Sequence, residues 1–118
     1  MAIEEIRRRN LRLLKPMVKH VISPNVALNS GNTNEHELEK VRMVLELMRA
    51  GRQVVTEAVF HNGCRADIFV LDSGRVIEIL HSETEEEAKE KTKNYPLEIS
   101  RFTYIKTGGK ENGKNENR

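Results

Sequence analysis

Three short β-rich runs, Gln53 to Phe60, Arg65 to Leu71 and Arg75 to Leu80, follow one another with only His61-Asn62-Gly63 and Asp72-Ser73-Gly74 between them. Both connections carry hairpin turn chemistry and neither has room for a crossover helix, so each run is expected to fold back on the one before it as an antiparallel meander. A fourth run, Ile99 to Ile105, reads as a last strand. Before it, Ser82 followed by Glu85 has the form of a capping box opening a helix that runs to about Asn94 and stops ahead of Pro96. A strand reached through a helical crossover favours parallel pairing. Ahead of the meander, Asn34 as N-cap with Glu37 in the capping-box position opens a helix carrying Leu38, Val41, Leu45 and Met48 at spacings of three and four, and Gly51 is its natural end. The order is helix, three strands, helix, strand. It predicts an α/β sandwich around a mixed four-stranded sheet.

The flanks differ from this core. Ile3 to about Leu14 reads as a helix with Ile3, Ile6, Leu13 and Met17 on one stripe, widened by Leu11, Leu14 and Val18, and broken near Leu14 by Pro16. Ser23 to Asn34 is loop-like, and marks a boundary between a basic helical arm, residues 1–22, and a core domain, residues 34–106. Residues 107–118 contain no apolar anchor and are expected to be disordered. A chain of 118 residues suits one modest core. Nothing in it approaches the roughly 18 consecutive apolar residues of a membrane span, and its N-terminus lacks the apolar stretch of a signal peptide. These features point to a soluble, cytoplasmic protein without a membrane partner. Cys64 stands alone, with no second ligand at zinc spacing, and is read as incidental.

The net charge of +2 is small, but its distribution is uneven. Arg7, Arg8, Arg9, Arg12, Lys15 and Lys19 crowd the first segment, whereas Glu83, Glu85, Glu86, Glu87 and Glu90 crowd a later one. One end is suited to touching phosphates and the other repels them. The basic arm reads equally as a DNA-contacting arm, a dimerisation helix or a plain surface helix.

The acids of the meander carry the chemistry. Side chains alternate along a strand, so Asp67 is expected to share a face with Phe69 and Leu71, Glu78 with Val76 and Leu80, and Glu57 with Val55 and Val59. An acid on an exposed sheet face is explained by a partner such as Arg65 or Arg75. Three on adjacent strands facing one side would repel one another unless a cation offset them, and hard divalent ions take such oxygen ligands.

Arg65-Ala66-Asp67, a Gly-containing turn and Val76-Ile77-Glu78-Ile79 resemble the Asp and Glu half of the PD-(D/E)xK nuclease signature. Within that superfamily the pattern is most similar to nucleases of the competence-protein CoiA type and to Holliday-junction resolvase-like proteins. Their His and Lys one turn apart on the first helix match His36 and Lys40, their first-strand acid matches Glu57, and their Glu-Ile-x-x-Ser matches Glu78-Ile79-Leu80-His81-Ser82. The likeness spans roughly Asn34 to Tyr104. It implies a restriction-endonuclease-like core, with Mg²⁺ or Mn²⁺ held by Asp67 and Glu78, and with Glu57 as a further ligand, a support or a structural ion-pair member. His36 and Lys40 then approach a phosphate, or else belong to a solvated helix face.

One position departs from the pattern. The superfamily places Lys or Gln two residues after the glutamate; this chain has Leu80. Either Lys89, Lys93 or Lys40 takes over that role, or hydrolysis is lost. The expectation is a metal-dependent DNA endonuclease or junction-processing nuclease acting on duplex or branched DNA, with a homodimer as the arrangement that cuts both strands. The alternative is a catalytically degenerate nuclease fold acting as a DNA-binding or oligomeric accessory factor. Glu37 is explained by its capping position, His81 falls opposite Glu78 by parity, and His20 and His61 stand alone. Tyr95 and Pro96 are expected only to close the helix against the sheet.

Overall fold

The computed structural model describes residues 1–107. Its elements are α1 (Ile3–Leu11), β1 (Val21–Ile22), α2 (Asn34–Arg49), β2 (Val54–Val59), β3 (Arg65–Val70), β4 (Arg75–Leu80), α3 (Glu85–Thr92) and β5 (Arg101–Lys106). β2, β3 and β4 form the expected antiparallel meander, and β5 returns through α3 to lie parallel to β4. In the turn before β4, Gly74 takes φ +76° with Asn10 close by, a conformation that suits a residue without a β-carbon. The sheet has five strands in the order β1-β2-β3-β4-β5. The additional edge strand is Val21–Ile22, paired antiparallel with Val55 and Thr56 of β2. Those residues fall within the segment expected to be an arm.

That segment is docked on the core. The Arg7 guanidinium meets Asp72 at 2.9 Å and the Gly51 carbonyl at 3.0 Å. The buried Asn10 side chain donates to Leu71 O at 2.7 Å. Helix α1 ends at Leu11, earlier than the expected Leu14, because Leu14 leaves the helix to bridge Phe60 and fill the core. The disorder expected from Thr107 onward does not include Thr107 itself, whose N–H bonds Leu80 O at 2.8 Å. The rest of that expectation lies outside the described residues.

Two apolar layers flank the sheet. On one side Val44, Val54, Ile68, Val70, Ile77 and Ile79 pack with Met43, Leu47 and Met48 of α2. On the other, Val55, Phe69 and Val76 form a cross-strand row, continued by Phe102 and covered by Leu14, Phe60 and Ile99. Burying an aliphatic or aromatic side chain in such a layer contributes roughly 1.5–3 kcal/mol. Helix α2 turns its Val44 side inward, while Leu38 and Leu45 of the expected buried stripe are 70% and 43% exposed. Periodicity found the helix but set its stripe off the inner face, which only Met48 of that stripe reaches, because two polar residues, His36 and Lys40, occupy inward positions.

The caps also shift. Thr33, not Asn34, caps α2, its hydroxyl accepting from His36 N at 3.1 Å. Thr84 with Glu87, not Ser82 with Glu85, makes the reciprocal capping box of α3. At the other end of α2, Gly51 at φ +81° permits a Schellman closure in which Arg52 N bonds Leu47 O and Gly51 N bonds Met48 O. No helix among the described residues is long and apolar enough to cross a membrane.

Candidate active site

Simple alternation fails at one place in each of two neighbouring strands. On β2, Val55 and Ala58 both belong to the layer away from α2, although they are three residues apart. On β3 the same is true of Ala66 and Phe69. The register pairs Thr56 with Ile68 and Ala58 with Ala66, so the two slips face each other at Glu57 and Asp67. Glu57 has φ +50°, a left-handed conformation that costs a non-glycine residue on the order of 1–2 kcal/mol. The result corrects the expected faces. Glu57 and Asp67 both turn toward α2, away from Val55, Phe69 and Leu71.

The β3–β4 ladder stops at Ile68 and Ile77, immediately before the position where Asp67 would meet Glu78. Instead of a ladder bond, Ile79 N donates to Asp67 Oδ2 at 2.8 Å. The strands part there, beside a cavity of about 660 Å³ lined by His36, Asp67, Glu78, Arg65, Lys91 and Tyr95, among others. Asp67 and Glu78 reach it from different sides. His36 Nε2 lies 3.3 Å from Asp67 Oδ2 on the α2 side. From the opposite layer, the Tyr95 hydroxyl donates to Glu78 Oε2.

The two carboxyls are electrostatically uncomfortable. Burial pushes the Glu78 carboxyl up to about 8, helped by the Asp67 charge and opposed by the Tyr95 hydrogen bond. Burial also raises Asp67, against the lowering pull of the Ile79 N–H and of His36. Because folded Glu78 holds its proton between the ordinary carboxyl value of 4.5 and about 8, the metal-free protein is expected to lose stability as pH rises through that window. Urea midpoints at pH 5 and pH 8.5 test this. Glu78→Gln should flatten the fall, and equal slopes in both proteins would show that the burial carries no such penalty.

A second cluster lies behind the first. Lys40 is fully buried, and its ammonium contacts Glu57 Oε2 at 2.9 Å, Glu37 Oε2 at 2.8 Å and Ala27 O at 2.9 Å. Glu57 Oε1 faces Asn29 and Arg65 at 3.5 and 3.7 Å. Glu37 also accepts from Asn29 N at 2.7 Å and Asn32 Nδ2 at 3.2 Å, so it anchors the preceding loop and has no capping role. Its carboxyl is held low: burial would raise it, but the Lys40 and Asn29 hydrogen bonds outweigh that. Glu57 is therefore a counter-ion of Lys40 and does not line the cavity.

The structure separates the remaining sequence candidates. His36 lines the cavity, whereas Lys40 stands behind it. Lys89 and Lys93 lie on the outer side of α3, beside Glu85 at 3.7 Å and Glu90 at 2.6 Å, and do not line the cavity. Lys91 does, with its ammonium 2.8 Å from Glu83. Its placement had a signal in the sequence: Ala88 marks the inner face of α3, and Lys91, Thr92 and Tyr95 follow at three, four and seven residues. Arg7 is committed to Asp72, and Arg8, Arg9 and Arg12 are exposed on a segment that does not border the cavity.

Among the described residues no three His, Cys, Asp or Glu side chains stand close enough to enclose an ion by themselves. The donor chemistry nevertheless suits Mg²⁺ or Mn²⁺. Hydrogen bonds to the two cavity carboxylates fall on Asp67 Oδ2 and Glu78 Oε2, leaving Oδ1 and Oε1 as hard oxygen donors. Mg²⁺ is commonly held by one or two carboxylates, with water and substrate phosphate completing the shell. No family model, curated protein or solved structure matches this chain.

Proposed function

We propose that this chain is a metal-dependent nuclease that hydrolyses phosphodiester bonds in DNA, with Asp67 and Glu78 as the residues that hold Mg²⁺ or Mn²⁺. The observation that carries the reading is the placement of two half-buried carboxylates on one cavity, at the point where β3 and β4 part. A divalent ion bound there would polarise a phosphate and activate water. The chain's own residues perform the rest. Asp67 is fixed by the Ile79 N–H and backed by His36. Arg65 and Lys91 line the same cavity, and are placed to meet the negative charge of a phosphate and of the trigonal bipyramid it passes through. Leu80, 1% exposed, stands where the resemblance calls for lysine or glutamine and offers no polar group. Lys91 is therefore the cation proposed for that role, in place of Lys89 and Lys93.

Supercoiled plasmid and a four-way junction, incubated with the full chain in Mn²⁺, test the reading. Cleavage that stops on chelation is expected, and Lys91→Ala should lower kcat/KM by about tenfold with little change in Tm. The buried Leu80 and the engagement of Lys91 by Glu83 favour a second reading, a nuclease fold that binds DNA without cutting it. Salt-sensitive DNA binding, unaffected by metal and without strand breaks, would establish that alternative and dismiss hydrolysis.

A further inference from the structure

We propose that Tyr95 is a positioning residue for Glu78, selecting which carboxylate oxygen faces the cavity; this inference rests on the metal-site reading above. β3 and β4 are laddered only from Ile68 to Val70 and from Arg75 to Ile77, so Arg65 to Asp67 and Glu78 to Leu80 are not paired with each other, although β2 pairs with Arg65 and Ala66 and β5 with Glu78 to Leu80. The Tyr95 hydroxyl spans that gap. Its oxygen stands 2.7 Å from Arg65 O and within hydrogen-bond distance of Glu78 Oε2, and its one proton serves one of them at a time: with Glu78 protonated it donates to Arg65 O and accepts from Oε2, and with Glu78 ionised it donates to Oε2. A carboxylate anchored through Oε2 presents Oε1, and its side chain gives up the rotamer freedom that a long acid otherwise keeps.

The ring that carries this hydroxyl is itself immobilised. Phe60 and Phe102 meet it edge to face, with centroids 5.5 and 5.4 Å away. The backbone just before it is stitched to the β2–β3 turn, because Asn94 O accepts from Asn62 Nδ2 at 2.8 Å and from Cys64 Sγ at 3.0 Å. Tyr95 thus does more than end a helix. It carries the rigidity of the aromatic layer and of the hairpin turn to one oxygen of the cavity. Outer partners of this kind tune metal sites through the ligand they orient.

Tyr95→Phe keeps the ring and removes the hydroxyl. Mn²⁺ binding to the full chain without DNA, followed by electron paramagnetic resonance, is expected to weaken by about ten- to hundredfold in this variant. Its thermal melt should move little, and its DNA affinity in chelator should match the wild type. Asp67→Asn serves as the metal-site control. Mn²⁺ affinity in Tyr95→Phe equal to a wild type that binds would overturn the Tyr95 inference alone. So would a loss of binding that tracks unfolding in a parallel circular-dichroism melt, since the residue would then serve only the core. A wild type that binds no more Mn²⁺ than Asp67→Asn overturns both readings.

Discussion

Asp67→Asn is expected to lower metal-dependent cleavage by about a thousandfold while leaving the fold intact, since a Lewis-acid contribution of several kcal/mol converts to that factor in rate. The substitution is chosen for what it preserves. An amide oxygen still accepts the Ile79 N–H that Asp67 Oδ2 accepts now, so the parting of β3 and β4 need not change. What disappears is the charge, which burial already disfavours at this position. The melting temperature near pH 8 should therefore hold or rise as activity falls. Plasmid nicking at saturating Mn²⁺, alongside a thermal melt, reads both quantities. Cleavage within a factor of a few of the wild type would remove Asp67 from the chemistry.

Lys40→Met should produce the largest loss of stability of any single change near the cavity. The ammonium is fully buried and is shared by two carboxylates whose side chains are only 15% and 13% exposed. Removing one partner of a buried ionic cluster typically costs about 3–5 kcal/mol, because the remaining charges are left without compensation. For a domain of this size that corresponds to a fall of roughly 15 °C in Tm. The loss is also expected to release the loop ahead of α2, which Lys40 grips through Ala27 O and Glu37 through Asn29 N. Adding Glu37→Gln and Glu57→Gln to Lys40→Met should recover a large part of the stability. A single variant that melts within a few degrees of the wild type, or a triple variant no better than the single one, would show that the cluster does not act as a charge-compensated unit.

Turn chemistry and local propensity made the order of elements readable. The two hairpins and the Gly51 end of α2 depend on residues within a few positions of one another, and the parallel return of β5 follows from the helical crossover between β4 and β5. Asp67, Glu78 and His36 do line one cavity, but the two acids reach it from different sides of the sheet, which strand parity does not anticipate. The other errors come from tertiary compensation. A lysine and a histidine on the inner side of α2 broke the apolar pattern, because their partners, Glu57 and Asp67, lie on other elements. The same interactions turn Glu57 and Asp67 away from their parity faces, and nothing local in the sequence announces that. Lys89 and Lys93 stand one turn apart, but the buried Ala88 puts Lys91, three residues on, nearest the inner side of α3. Val21–Ile22 is too short to show a strand pattern, and only its pairing with β2 makes it one.

The facing slips at Glu57 and Asp67 act like two matched frameshifts in adjoining lines of text. Correcting one line alone would put its following residues out of step with the other, sending apolar side chains of that strand toward the wrong layer. The two irregularities can therefore drift only together, and a homologue that has straightened one should have straightened both. In such a relative the acid at the second position would have left the α2 side, and with it the site.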